Sequence, residues 1–191
     1  TKRRPASPQP RGQDDDGAAH GGHLESFQRH PDALVDNSTW DHAIWNGHLH
    51  IIKWFFETNK PGCEQTLVNE AAYCNRLEIL QFLVGTCKLP VTPRAMDMAA
   101  RAGNLDVVIY LNKHSTAGCT TNALDWAAAQ KHLEVVKFLC KNRKEGCTVE
   151  GIQNVINEGF MEICSWLESY YPHLYKQCEL LPSPADECTL L

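Results

Sequence analysis

The sequence has no run of about 18 apolar residues, the length a helix needs to cross a bilayer, so no membrane span is expected. Its first ten residues, TKRRPASPQP, lack the apolar stretch of a secretory leader, and none is expected. No Cys-x-x-Cys pair occurs among the 9 cysteines, which leaves little basis for a zinc cluster. A Gly-rich phosphate loop, His-Glu-x-x-His and Gly-x-Ser-x-Gly are all missing as well. Nor does spacing alone place a histidine beside a Cys or Ser nucleophile. No catalytic residue, cofactor or metal is therefore expected. A basic excess is lacking too: 18 Lys and Arg against 23 Asp and Glu give a net charge of -5, a poor match to a phosphate backbone. No nucleic-acid partner is expected.

What is present is a 28-residue period, and a fixed period governs how every other residue is read. Leu49, Leu77, Leu105, Leu133 and Met161 stand 28 apart, and Ile51, Ile79, Val107, Val135 and Ile163 keep the same step. An aromatic column runs through Trp54, Phe82, Tyr110, Phe138 and Trp166, beside Phe55, Leu83, Leu111, Leu139 and Leu167. Gly62, Gly118 and Gly146 share a turn column with Pro90, and Cys63, Cys119 and Cys147 share the next with Val91. Equivalent atoms of stacked helices lie about a helix diameter apart, beyond the roughly 7 Å Cα limit of a disulfide. Free thiols in a reducing compartment follow, cytoplasmic or, if Lys2-Arg3-Arg4 is an import signal, nuclear.

Each unit reads as two helices. Thr92 stands at an N-cap with Pro93 at the first helical position, where its missing N–H costs nothing. Thr120, Thr148 and Asp36 fill the same cap column, and Glu64 is its poor member. The first helix carries Met96, Ala99 and Ala100, or Leu124, Ala127 and Ala128, an i, i+3, i+4 stripe. It closes at Gly47, Gly103 or Gly159, with Asn75 in the same column; these residues tolerate the left-handed conformation, and Lys131 breaks the pattern. The second helix places Leu133, Val136 and Leu139 on one face, with Val135 and Phe138 beside them. Alanine pairs at 71 and 72, 99 and 100, and 127 and 128 permit close approach of neighbouring first helices; Ala43-Ile44 and Val155-Ile156 replace them toward the ends. Met98 and Trp126 share a column expected to be buried. Asp41, Asp97 and Asp125 form a carboxylate column, read as a repeated loop brace and not as an acid–base array.

Full units are expected at about 34–61, 62–89, 90–117, 118–145 and 146–173, within an array spanning 23–181. His23-Leu24-Glu25 echoes His132-Leu133-Glu134 but lies 25 residues before the next copy, so it is read as a degraded half-unit. Tyr175 to Leu181 is read as one further short helix, ended by Pro182. Residues 1–22 have only Ala6, Ala18 and Ala19 as apolar residues, together with three prolines and the Asp14-Asp15-Asp16 run. A disordered tail is expected there and at 182–191, since neither can offset ordering entropy by burial.

"TNALDWAAAQKHLEVVKFL", from Thr121 to Leu139, resembles the ankyrin repeat pattern T-P-L-H-x-A-A-x-x-G-H-L-E-V-V-x-x-L. Asn122, Ala123, Leu124 and Asp125 stand at its Thr, Pro, Leu and His, and Lys131 at its Gly. "AMDMAARAGNLDVVIYL" and "WDHAIWNGHLHIIKWF" fit the same frame, with Asp97 and Asp41 at the His position, and the resemblance covers about residues 34–172. It implies an all-α fold, an α-solenoid of stacked helix-turn-helix ankyrin-like repeats. The β-hairpin fingers are shortened, because 28 residues replace the usual 33 or so. Short units of this kind resemble those of expanded oomycete and giant-virus sets. The pattern also implies structural, loop-bonding roles for His48 and His132. A leucine-rich repeat is the rival at this period, but it needs an L-x-x-L-x-L strand where this chain has paired alanines and capping threonines.

A stacked array offers an extended concave face, lined in the ankyrin frame by the end of the first helix and the loop after it. Trp, Tyr and Arg dominate interface energies, and the varying residues at those positions are the candidate partner-binding set: Trp45, Asn46, Tyr73, Arg101, Gln130 and Asn157. The expected function is a non-enzymatic, monomeric scaffold or adaptor that binds a protein partner. The alternative is the substrate-recruiting module of a larger enzyme or ubiquitin-ligase complex. Thr189-Leu190-Leu191 also resembles a PDZ-domain ligand.

Overall fold

The computed structural model describes residues 13–30, 35–60 and 64–179. Thirteen α-helices and one π turn make up the regular structure of these residues, with no strand among them. The leucine-rich reading, which requires a strand in every unit, fails over the described residues. Two compact units divide the chain, Thr1–Pro90 and Val91–Leu191.

The first unit holds α1 (Gln13–Gly21), α2 (Leu24–Arg29), α3 (Asn37–Trp45), α4 (Leu49–Glu57), α5 (Glu64–Tyr73) and α6 (Leu77–Gln81), the last running into the π turn Phe82–Thr86. Helix α3 packs on both α1 and α5, and α1, α3 and α5 each pair with the helix that follows. Its core is rich in rings: Phe27 meets Phe55 edge-on at 5.2 Å between centroids, and Trp40 meets Phe55 at 4.8 Å and Phe56 at 5.3 Å.

The second unit holds α7 (Pro93–Arg101), α8 (Leu105–His114), α9 (Thr121–Ala129), α10 (Leu133–Asn142), α11 (Val149–Asn157), α12 (Met161–Tyr170) and α13 (Pro172–Glu179). Here α7 packs on α9, α9 on α11 and α11 on α13, while α10 touches α8 and α12. The alanine pairs are buried, as close helix approach requires. Val135, Val136, Leu139 and Cys140 are the buried side of α10; Leu133 and Phe138, expected on the covered face, are only half-buried.

The caps follow the threonine and aspartate column. Asp36 Oδ1 accepts from the Thr39 N–H at 3.0 Å, Thr120 Oγ1 from Asn122 at 3.1 Å, and Thr148 Oγ1 from Gly151 at 2.9 Å. Thr92 sits at the N-cap position without a side-chain cap bond; Pro93 at the first helical position leaves one fewer N–H to satisfy. Glu64 is already helical, as the first residue of α5. Gly47, Asn75, Gly103 and Gly159 all take positive φ, and so does Lys131 at 65°, despite its Cβ.

The expected disordered tail to Gly22 is corrected by α1, which starts at Gln13. Ala18-Ala19-His20-Gly21-Gly22-His23-Leu24 stands in register with Ala43-Ile44-Trp45-Asn46-Gly47-His48-Leu49 at a step of 25. Ala18 and Ala19 are buried, and Gly22 takes φ 74° as Gly47 takes 78°. The half-unit is thus a full helix pair, held by the same small-residue approach as the others. At the other end a helix does form, but it begins at Pro172, not Tyr175. Residues 1–12 and 180–191, with the basic cluster and the Thr-Leu-Leu end, lie outside the described residues, as do Gly62 and Cys63.

Candidate partner-binding surface

The candidate residues sit at the C-terminal ends of first helices, where the last carbonyls have no partner within the helix. In the first unit a side chain from the next helix pair supplies one. His48 Nε2–H donates to the His20 carbonyl at 3.0 Å, and Arg76 Nε donates to the Trp45 carbonyl at 3.1 Å, with its Nη2 on the same oxygen. In the second unit His132 Nε2–H does the same for Arg101, at 3.1 Å. A donor at a helix C-terminus also suits the local negative potential. The resemblance implied loop-bonding histidines; the partner is the carbonyl that ends the preceding first helix, and arginine fills the position in one repeat. Close approach also bears on the closing glycine of the preceding repeat: a Cβ on Gly103 would lie 2.5 Å from the His132 ring.

The carboxylate column braces successive pairs in the second unit. Asp97 accepts from both Thr120 N–H and Thr120 Oγ1 at 2.8 Å, and Asp125 from Thr148 N–H at 2.9 Å and Oγ1 at 2.8 Å. Gly151 lies beneath the second brace, where a Cβ would fall 2.2 Å from Asp125 Oδ1. Asp125 is nonetheless pushed up from the ordinary carboxylate value, burial outweighing the threonine bonds. Asp41, their column mate in the first unit, makes no such bond among the described residues. Burial, and after it the charge of Glu70, pushes it up.

Around these anchors the candidates separate into two groups. Trp45 and Tyr73, at the same register position on packed helices α3 and α5, are 46% and 42% exposed. Trp45 Nε1 donates to Glu70 Oε2 at 3.2 Å, and the His42 ring meets the indole edge-on at 5.5 Å. Asn46, exposed at the C-cap of α3, donates to the His42 carbonyl at 2.8 Å and faces His20 Nδ1 at 3.3 Å. In the second unit the Arg101 guanidinium stands 5.5 Å over the Trp126 ring, Gln130 is exposed at the C-cap of α9, and exposed Asn157 accepts from Gln153 at 3.0 Å. Trp126 and Met98, expected to be buried, are half-buried, since their column faces the neighbouring helix end and not the core. Glu70 and Asp41 were not singled out as surface residues. The signal was a 25-residue offset, Trp45 to Glu70 and Arg101 to Trp126, that crosses from one repeat to the next.

Cys74, Cys87, Cys119, Cys140, Cys147, Cys164 and Cys178 are free. Burial pushes Cys119 and Cys140 up to about 11 and Cys147 up to about 12, the direction opposite to that of a nucleophilic cysteine. Among the described residues no three His, Cys, Asp or Glu side chains are grouped to hold a metal ion, and no helix is long and apolar enough to cross a membrane. No family model matches the chain, and no curated protein matches it either.

Proposed function

We propose that the chain is a non-enzymatic protein-binding module, an ankyrin-like α-solenoid that holds a partner at the ends of its first helices and the loops after them. The register supports the ankyrin likeness: one position per unit closes the first helix left-handed, the next residue reaches back to the preceding helix end at His48, Arg76 and His132, and Asp97 and Asp125 brace the caps that follow them. The observation that carries the binding role is the exposure of Trp45 and Tyr73 at equivalent positions of adjacent helices. Large aromatics left open at a repeated position are expensive to solvate and are the types that anchor interfaces. Free thiols fit a reducing compartment, cytoplasmic or nuclear.

Affinity capture with the whole chain tests this reading. A partner retained by the parent protein is expected to be lost with Trp45→Ala and Tyr73→Ala, while the far-UV circular dichroism is unchanged. Retention of the same partner by both variants would show that these helix ends are not the contact.

A further inference from the structure

Several aromatic rings elsewhere in the described chain carry a cation of their own. Lys60 Nζ lies 5.6 Å from the Trp54 centroid, Lys53 Nζ 5.8 Å from Phe82, and Lys131 Nζ 4.3 Å from Phe160. Lys137 and Lys141 both approach Trp166, at 5.7 and 5.1 Å. Each places positive charge over the negative face of the ring. Arg101 over Trp126 is the informative pair, because these residues occupy the two register positions held by Trp45 and Glu70 in the first unit, 25 apart in both cases. There the ring stands at the first position and a carboxylate at the second, and they are joined by the indole N–H. Among the described residues no lysine or arginine lies over the Trp45 ring, although nearly half of its surface is open.

Negative charge is concentrated at the same place. Glu70 raises both Asp41 and Cys74, in each case as the second cause after burial. The cations within reach do not neutralise the pair. Arg76 directs its guanidinium to the Trp45 carbonyl, and His42, which lowers Asp41, stands edge-on to the indole. No ion pair involves Asp41 or Glu70 among the described residues. An exposed indole and two neighbouring carboxylates thus offer a ring face and acceptors to a further positively charged group.

We propose that this face, on the protein-binding reading above, grips an arginine side chain in an exposed segment of the partner, with the guanidinium lying on the Trp45 indole and donating to Glu70 and Asp41. Arginine fits better than lysine because a planar guanidinium can stack on a ring while its edge presents forked donors to carboxylates. The Arg101–Trp126 contact shows a guanidinium over an indole within the chain.

The test uses the whole chain labelled with nitrogen-15 and an acetylated, amidated Gly-Gly-Arg-Gly-Gly peptide. The Trp45 indole N–H signal, assigned by its loss in Trp45→Phe, is expected to move saturably as peptide is added. Glu70→Gln, which keeps an acceptor for the indole, is expected to weaken binding about tenfold, the effect of one charge-assisted hydrogen bond. Glu57→Gln, elsewhere on the same unit, is expected to leave it unchanged. A citrulline peptide of the same length should not move the signal. The proposal is overturned by an equal shift with citrulline, by no saturable shift with arginine, by undiminished affinity in Glu70→Gln, or by tighter binding of a peptide with lysine in place of the arginine. Its failure is separable from that of the protein-binding reading: a partner whose capture depends on Trp45 while the arginine peptide leaves the indole signal unmoved would retain the scaffold and remove the arginine.

Discussion

Glu145 ties its own loop to the preceding one. Its carboxylate pairs with Arg143, accepts the Lys144 N–H at 3.0 Å and accepts the Cys119 N–H at 3.4 Å. The Arg143 bond, the largest influence, holds it down to about 2 from the ordinary 4.5. A depressed carboxylate adds stability that is present above its unfolded value and is lost as pH falls from about 4.5 through about 2. Urea unfolding is therefore expected to show Glu145→Gln less stable than the parent at neutral pH, with the gap closing across that acid window. A gap that stays constant down to pH 2 would show that the pair contributes nothing. At this scale the sequence was legible where roles recur. The aspartate column read as a brace because a carboxylate returns once per unit; the structure adds its partner, the threonine 23 positions after Asp97 and again after Asp125. Arg143 and Glu145 occur once, so no repetition marked them.

Helix α8 shows how an element is oriented by neighbours and not by hydropathy alone. Val107, Val108 and Leu111 are buried, whereas Ile109 on the same helix is 41% exposed. Leu111→Ala should cost about 2 to 5 kcal/mol, because the surrounding core relaxes only partly around the cavity. Ile109→Ala should cost less than about 1 kcal/mol, since little burial is lost and alanine is the better helix former. Equal shifts of the urea midpoint would reject the assigned faces. Helix α1 teaches the complementary lesson. Few apolar residues, three prolines and an aspartate run argue against structure when composition is averaged over residues 1–22, yet α1 packs on α3 and buries Ala18 and Ala19 at the position where other units place alanines. The register marked it, but at a step shortened from 28 to 25.

The whole chain comprises two compact units, each with its own helix pairs and buried core. Repeat stability is close to a sum of unit and nearest-neighbour terms. Residues 91–191, whose α7 to α13 pack on one another, are expected to keep their helical circular dichroism and to unfold cooperatively when expressed alone. Loss of helicity in that fragment would show that its stability depends on residues before Val91. The sequence by itself determined the period, the two helices of each unit, the left-handed closing position and the capping column. These are set by residues a few positions apart, whose propensities and φ preferences act locally. Only the tertiary structure decided that Glu70 accepts from the Trp45 indole N–H and that Arg101 lies over Trp126. Those contacts join one repeat to the next, and what a side chain meets there depends on how closely two helices approach, which no local preference encodes.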